Sequence, residues 1–157
     1  MGREVMQPRL VAYMADSASQ AYTYSGATLA PDPWDPFVLK IKEEVEKHTG
    51  GFKFNSCLLN LYRDGSDHVG WHSDDETLYG KNTTIGSVSL GSARDFLLRR
   101  NADHQDKLTF KLCKGDILIM QGSTQSFWMH CVPKRLRVKE PRINLTFRKV
   151  LNNESAS

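Results

Sequence analysis

The chain has 157 residues, a formal net charge of +3, and hydrophobic and charged fractions of 39% and 25%. That is the length of one domain with enough apolar surface for a core, and it excludes disordered, collagen-like and coiled-coil chains. The longest apolar run of note, Ile117 to Met120, falls far short of the roughly 20 residues that a membrane-spanning helix needs. The opening Met1 to Met6 has no apolar signal core, and Met6 stands where a myristoylation motif needs Ser or Thr. The expectation is a single domain over residues 1–157, monomeric and without a membrane partner.

In chain order, the stretch Leu29 to Pro36 resembles a linker but is too short to divide domains. A helix is predicted next. Asp35 caps it, Pro36 takes its first position, Phe37, Ile41 and Val45 form its buried face, and Gly50-Gly51 stops it. Short strands follow at Phe54 to Tyr62, Thr84 to Leu90, Asp95 to Arg100, Leu108 to Leu112, Ile117 to Met120 and Arg142 to Val150. The fold class is therefore mainly β with a few helices, a sandwich or barrel. Cys57, Cys113 and Cys131 form no Cys-x-x-Cys pair and suit reduced thiols, while the triplets at Asn82, Asn144 and Asn153 are chance glycosylation matches. Between Lys134 and Lys149 lie Lys134, Arg135, Arg137, Lys139, Arg142, Arg148 and Lys149 against Glu140, a run that suits a polyanion partner.

His72-Ser73-Asp74 places two metal-capable side chains on one face of a strand, and His130 follows the strand Ile117 to Met120 and the loop Gln121 to Met129. Two imidazoles and a carboxylate leave three adjacent positions of an octahedral ion open, as non-haem Fe(II) oxygenases require. A surface turn pair with an unrelated histidine would read the same. The strand from Arg142 to Arg148 puts Arg142, Asn144, Thr146 and Arg148 on one face and Ile143, Leu145 and Phe147 on the other. The polar face is either a solvated surface or a grip for a small dicarboxylate, since each guanidinium can take a carboxylate in a fork. Asn60 and Tyr62 share a face in the same way and could line the same pocket.

Four segments in order, NLYRDGSDHVGWHSDDE, SVSLGSARDFLLRR, MQGSTQSFWMHCVP and PRINLTFRK, resemble the AlkB family of Fe(II) and 2-oxoglutarate dioxygenases. The likeness is nearest to the AlkB homologues that repair alkylated duplex DNA, and it covers about Pro8 to Leu151. It implies a double-stranded β-helix, or jelly-roll sandwich, with iron between its sheets. By that likeness His72, Asp74 and His130 match the iron ligands, and Asn60, Tyr62, Arg142, Asn144, Thr146 and Arg148 match the 2-oxoglutarate pocket. The implied reaction uses Fe(II), 2-oxoglutarate and O2 to remove N-methyl groups of the 1-methyladenine and 3-methylcytosine type from DNA. It releases formaldehyde, succinate and carbon dioxide.

The resemblance also implies that Tyr22 and Tyr24 sandwich a flipped base, that Asp75 and Glu76 contact it, and that Arg135 and Arg137, with Arg99 and Arg100, touch the nucleic-acid backbone. Trp71 and Trp128 read as pocket walls or core, Trp34 and Phe127 as core, and His48, His68 and His104 as structural or exposed. In the duplex-repair relatives an apolar wedge precedes the part matched here. The expectation is a shortened N-terminal segment, or a reduced wedge made of Met1, Val5 and Met6. Alkylated DNA is the expected partner and the nucleus the expected location, with the cytoplasm a second one. The alternatives are methylated RNA as substrate with the same chemistry, or a nucleic-acid-binding module of weak turnover.

Overall fold

The computed structural model describes residues 8–24 and 27–151. The expectation for Met1, Val5 and Met6, the triplet at Asn153 and the side chain of Tyr24 lie outside the described residues. In chain order the elements are β1 (Leu10–Ala15), β2 (Tyr22–Tyr24), β3 (Ala27–Leu29), α1 (Pro36–Lys47), β4 (Ser56–Tyr62), β5 (Val69–His72), β6 (Ile85–Gly91), β7 (Arg94–Arg100), β8 (Lys107–Leu112), β9 (Ile117–Met120), α2 (Thr124–Phe127), β10 (Trp128–Val132) and β11 (Arg142–Arg148). The six predicted strands are present with their ends displaced by two residues or fewer. The strands β1, β2, β3 and β10 lie outside those six, and β5 ends at His72, so Asp74 falls beyond the strand that the His72-Ser73-Asp74 spacing predicts.

A five-stranded major sheet, ordered β1-β4-β11-β6-β9, faces a four-stranded minor sheet, ordered β5-β10-β7-β8, and β2 and β3 form a separate hairpin. Every strand pair in the three sheets is antiparallel. Successive strands from β4 to β11 cross mostly between the two sheets, which is the jelly-roll arrangement expected. Among the described residues no helix is long and apolar enough to cross a membrane.

Along β11 the apolar residues lie on the face away from the minor sheet. Leu145 and Phe147 of β11 join Val88, Cys57 and Phe54 there and are covered by Val38 and Val45 of α1. Between the sheets a second cluster contains Tyr62, Ile85, Phe96, Leu98, Leu112, Met120 and Val132. The Asp35 carboxylate accepts from the N–H groups of Phe37 and Val38, as a helix cap should. The buried face of α1 differs from the sequence reading. Val38 and Val45 are buried and Ile41 packs beside them, whereas Phe37 is 67% exposed. Spacings of three and four follow the 3.6-residue turn, and a stripe rising in fours from Phe37 drifts off it.

Phe127 is also exposed, at 56%, rather than core. It lies two residues after the buried Gln125 in the single turn of α2, and positions two apart point to opposite sides of a helix. Trp34 is half-buried against the α1 cluster and donates from its indole to Asp16 Oδ1 at 2.7 Å.

Helix α1 sits so close to the sheet that a Cβ on Gly86 would lie 2.5 Å from Val45 Cγ1 and 3.2 Å from Phe54 Cζ. Gly86→Ala is expected to lower stability by about 1–3 kcal/mol through overpacking, read as a lower midpoint in urea. Gly70→Ala, whose added carbon meets nothing within 4 Å, is the control and should leave the midpoint near the parent's.

Candidate active site

The pairing of β5 with β10 sets His72 directly opposite His130. Side chains at such a pair project from the same face as near neighbours, and the two imidazole centroids are 4.3 Å apart. The strand β5 ends at His72, and the chain turns so that Asp74 points at the same spot. Ligand atoms of His72, Asp74 and His130 all lie within 4.8 Å of one another. The ring of His72 meets the Gly70 carbonyl through Nδ1 at 2.8 Å, so Nδ1 is the donor there, and Nε2 faces Asp74 Oδ1, 3.8 Å away. His130 stacks on Phe96 at 5.3 Å, and its buried Nδ1 has no hydrogen-bond partner among the described residues.

Charge at the cluster suits a cation. Burial, with His72 beside it, pushes the His130 imidazole down to about 4. The ring is therefore neutral at physiological pH and has a lone pair to give. Burial pushes the Asp74 carboxyl up, but Arg148, His130 and His72 outweigh it and hold the group below the usual carboxylate range. Arg148 donates to Asp74 Oδ2 from Nη2 at 2.9 Å and from Nε at 3.2 Å, and both side chains are under a tenth exposed. Two imidazoles and one ionised carboxylate are a fitting donor set for a divalent iron ion.

A cavity of about 400 Å³ opens from this cluster between the sheets. Asn60, Tyr62, Arg142, Asn144, Thr146 and Arg148 all line it. Arg142 is 2% exposed and donates from Nη2 to Ser89 Oγ at 2.9 Å, while its Nε and Nη1 are buried without hydrogen-bond partners among the described residues. A buried guanidinium with idle donors is costly unless an anion completes it. The cradle thus fits one carboxylate of a dicarboxylate. The Asn144 amide donates to Ser87 Oγ at 2.7 Å and accepts from the Thr146 hydroxyl at 2.6 Å, so these two residues brace each other.

Arg9 was missed. It is buried, lines the cavity and donates from Nε to Asn60 Oδ1 at 2.7 Å. A lone arginine before an edge strand carries no local signal. Gln125, Met120 and Phe96 were not named as site residues either, and only the fold brings them here.

Of the other predicted residues, Tyr22 lines the cavity but is buried against Tyr13, and Glu76 lines the cavity mouth. Asp75 is exposed and outside the lining. Trp71 is a cavity wall, whereas Trp128 packs against the inter-sheet cluster. The Arg99 guanidinium lies 4.3 Å over the Trp71 ring, and Arg100 lies 4.7 Å over Trp128 and pairs with Asp106 at 2.7 Å. Arg135 pairs with Asp95 at 2.7 Å, while Lys134 and Arg137 are exposed beside it along a shallow groove. Arg94 braces that groove from below by donating to the main-chain carbonyls of Asp64, Asp67 and Pro133 at 2.8–3.1 Å.

Residues 2–148 match the profile of the 2OG-Fe(II) oxygenase superfamily. The chain belongs to that superfamily, in its AlkB family. It is 44% identical over 153 residues to the alpha-ketoglutarate-dependent dioxygenase alkB homolog 3 of Bos taurus, covering 92% of this chain and 52% of the relative. It is 39% identical over 174 residues to the DNA oxidative demethylase ALKBH2 of Arabidopsis thaliana, with 96% and 55% covered. It is 41% identical over 152 residues to ALKBH2 of Homo sapiens, with 92% and 57% covered. This AlkB-family chain thus spans about half the length of the curated relatives it matches. Its fold is like that of OsALKBH1, with a TM-score of 0.64 at 22% identity over 88% of this chain and 77% of the other. Fe(II), 2-oxoglutarate and O2 are the groups for which a site of this family is built.

The depressed His130 imidazole sets a pH dependence. Between about 6.5 and about 4 the unfolded chain takes up a proton there that the folded chain refuses. Stability of the metal-free protein is therefore full above that window and falls as pH drops through it, by up to roughly 3 kcal/mol. Urea midpoints measured from pH 7 to pH 4 should show the fall, and His130→Asn should flatten it.

Proposed function

We propose that this domain removes N-methyl groups from 1-methyladenine and 3-methylcytosine type lesions in DNA, by oxidation with Fe(II), 2-oxoglutarate and oxygen. The observation that carries the reading is the His72, Asp74 and His130 cluster facing, across one cavity, a buried Arg142 with idle donors. The names of the relatives, DNA oxidative demethylase among them, support the substrate class.

In this reading His72, Asp74 and His130 hold the iron, and Arg142 and Tyr62 receive the distal carboxylate of 2-oxoglutarate. Arg148 keeps Asp74 ionised and stands ready at the other end of the same polar face, beside Thr146 and Asn144. The iron, when bound, supplies activation of oxygen for oxidation of the methyl carbon, and the protein supplies ligation, orientation and a site closed to bulk water. The hydroxymethyl product sheds formaldehyde to restore the base. Tyr22 and Glu76 at the cavity wall receive the flipped base, and the family resemblance adds Tyr24 and Asp75 to that role. Lys134, Arg137 and Arg135, with Arg99 and Arg100 as a second patch, lie along the nucleic-acid backbone, and a nuclear location goes with this substrate.

The test is release of formaldehyde and succinate from methylated oligonucleotides supplied as single-stranded DNA, duplex DNA and RNA. The protein is expected to release both from DNA, and Arg142→Met should raise the 2-oxoglutarate needed for half-maximal rate at least about tenfold, the equivalent of one lost charge-assisted bond. Turnover confined to RNA would move the substrate to that nucleic acid. Oligonucleotide binding without turnover on any of the three would leave a binding module and overturn the enzyme reading.

The groove makes a separate claim on salt dependence. Lys134→Ala with Arg137→Ala removes two exposed cations and should reduce the slope of log affinity against log salt by about two for duplex DNA. Arg135→Ala, which first breaks the Asp95 pair, should change that slope less.

A further inference from the structure

The main chain at Asp74 makes a bond that neither sheet pairing nor metal ligation explains. With β5 ending at His72, the Asp74 N–H lies beyond the ladder and donates instead to Gln125 Oε1 at 2.9 Å, a residue 51 positions away. The Gln125 side chain is buried, and its amide nitrogen points at Met120 Sδ, 3.6 Å away. A thioether only accepts and an N–H only donates, so the two contacts agree on one orientation of the amide. Met120 is the last residue of β9, Gln125 lies in the single turn of α2, and α2 runs directly into β10, which bears His130. The segment that delivers the distal histidine therefore also grips the backbone of the carboxylate ligand.

We propose that Gln125 is a positioning residue of the metal centre. It fixes the Asp74 backbone so that the carboxylate and the His130 ring are already aligned when the ion arrives, and it closes the two ligand-bearing segments on each other without the metal. The inference rests on the reading of His72, Asp74 and His130 as metal ligands. A glutamine that merely filled the core would stabilise the fold and leave metal affinity alone.

Co(II) serves as the probe, because its visible absorption reports ligand geometry and its titration gives affinity without turnover. Gln125→Met keeps the length of the side chain and removes both polar ends. It is expected to weaken Co(II) binding about 10–100-fold, the usual cost of losing a partner that orients a ligand, and to shift the absorption bands. Gln125→Glu keeps an acceptor for the Asp74 N–H and should recover most of that loss. Thr124→Ala, a half-buried neighbour whose hydroxyl donates to the Gln121 carbonyl at 2.7 Å, should bind as the parent does.

A folded Gln125→Met protein with parental affinity and spectrum overturns the inference, as does a Gln125→Glu protein that fails as badly as the Met variant. Should Gln125→Met not fold, the comparison passes to Met120→Leu. That variant frees the amide to turn and should weaken Co(II) binding in the same direction, and unchanged affinity there overturns the inference. If the parent protein itself takes up no Co(II), the ligand assignment fails first and takes this inference with it.

Discussion

A carboxylate sunk between two β-sheets is tolerable only with a partner, and the pairing of Asp74 with Arg148 is the contact on which the rest of the interior depends. Arg148 closes the strand β11 of the major sheet, whereas Asp74 follows β5 of the minor sheet. The ion pair thus ties the sheets together at the end where the imidazoles converge. It also sets the carboxylate's charge, since burial alone would favour its protonated form. Removing Arg148 would strand a buried anion, a more costly event than losing one surface pair.

With that pair inside, the polarity of β11 inverts. In most sandwiches the faces turned toward each other are apolar and the outer faces polar. Here the inner face of β11 presents Arg142, Asn144, Thr146 and Arg148, all buried, and Leu145 and Phe147 go to the far side. That far side would be an exposed greasy surface without α1, which accounts for the close approach of Val45 to Gly86. The helix packs on the opposite face from the metal ligands, yet it is what allows β11 to devote its inner face to polar chemistry.

This inversion also marks how far the sequence could be read. Strict alternation from Arg142 to Arg148 was legible as two faces, and so was the shared face of Asn60 and Tyr62. Which face turned inward was not, because a period of two has no sign until another layer covers it. The metal triad was legible only through the resemblance, since its histidines are brought together by strand pairing over a long separation. Arg9 and Gln125 were illegible for a similar reason: each reaches the site by bonding a residue about fifty positions away. Phe37 and Phe127 misled because size and hydrophobicity argue for burial while the helical angle at each position argues against it.

Arg94 has a broader consequence. It holds three carbonyls from two loops, and the Gly65 N–H and carbonyl bond Val138 and Arg135 across the same gap, so tightly that a Cβ on Gly65 would fall 1.7 Å from the Arg135 oxygen. The backbone of loop 133–138 therefore loses its freedom when the chain folds, not when something docks. An anion meeting that loop encounters cations at a preset spacing, and little entropy remains to be lost on contact. Such a surface discriminates by the geometry of charge along a partner, and it responds to a change in that geometry more sharply than a pliable tail of equal charge would.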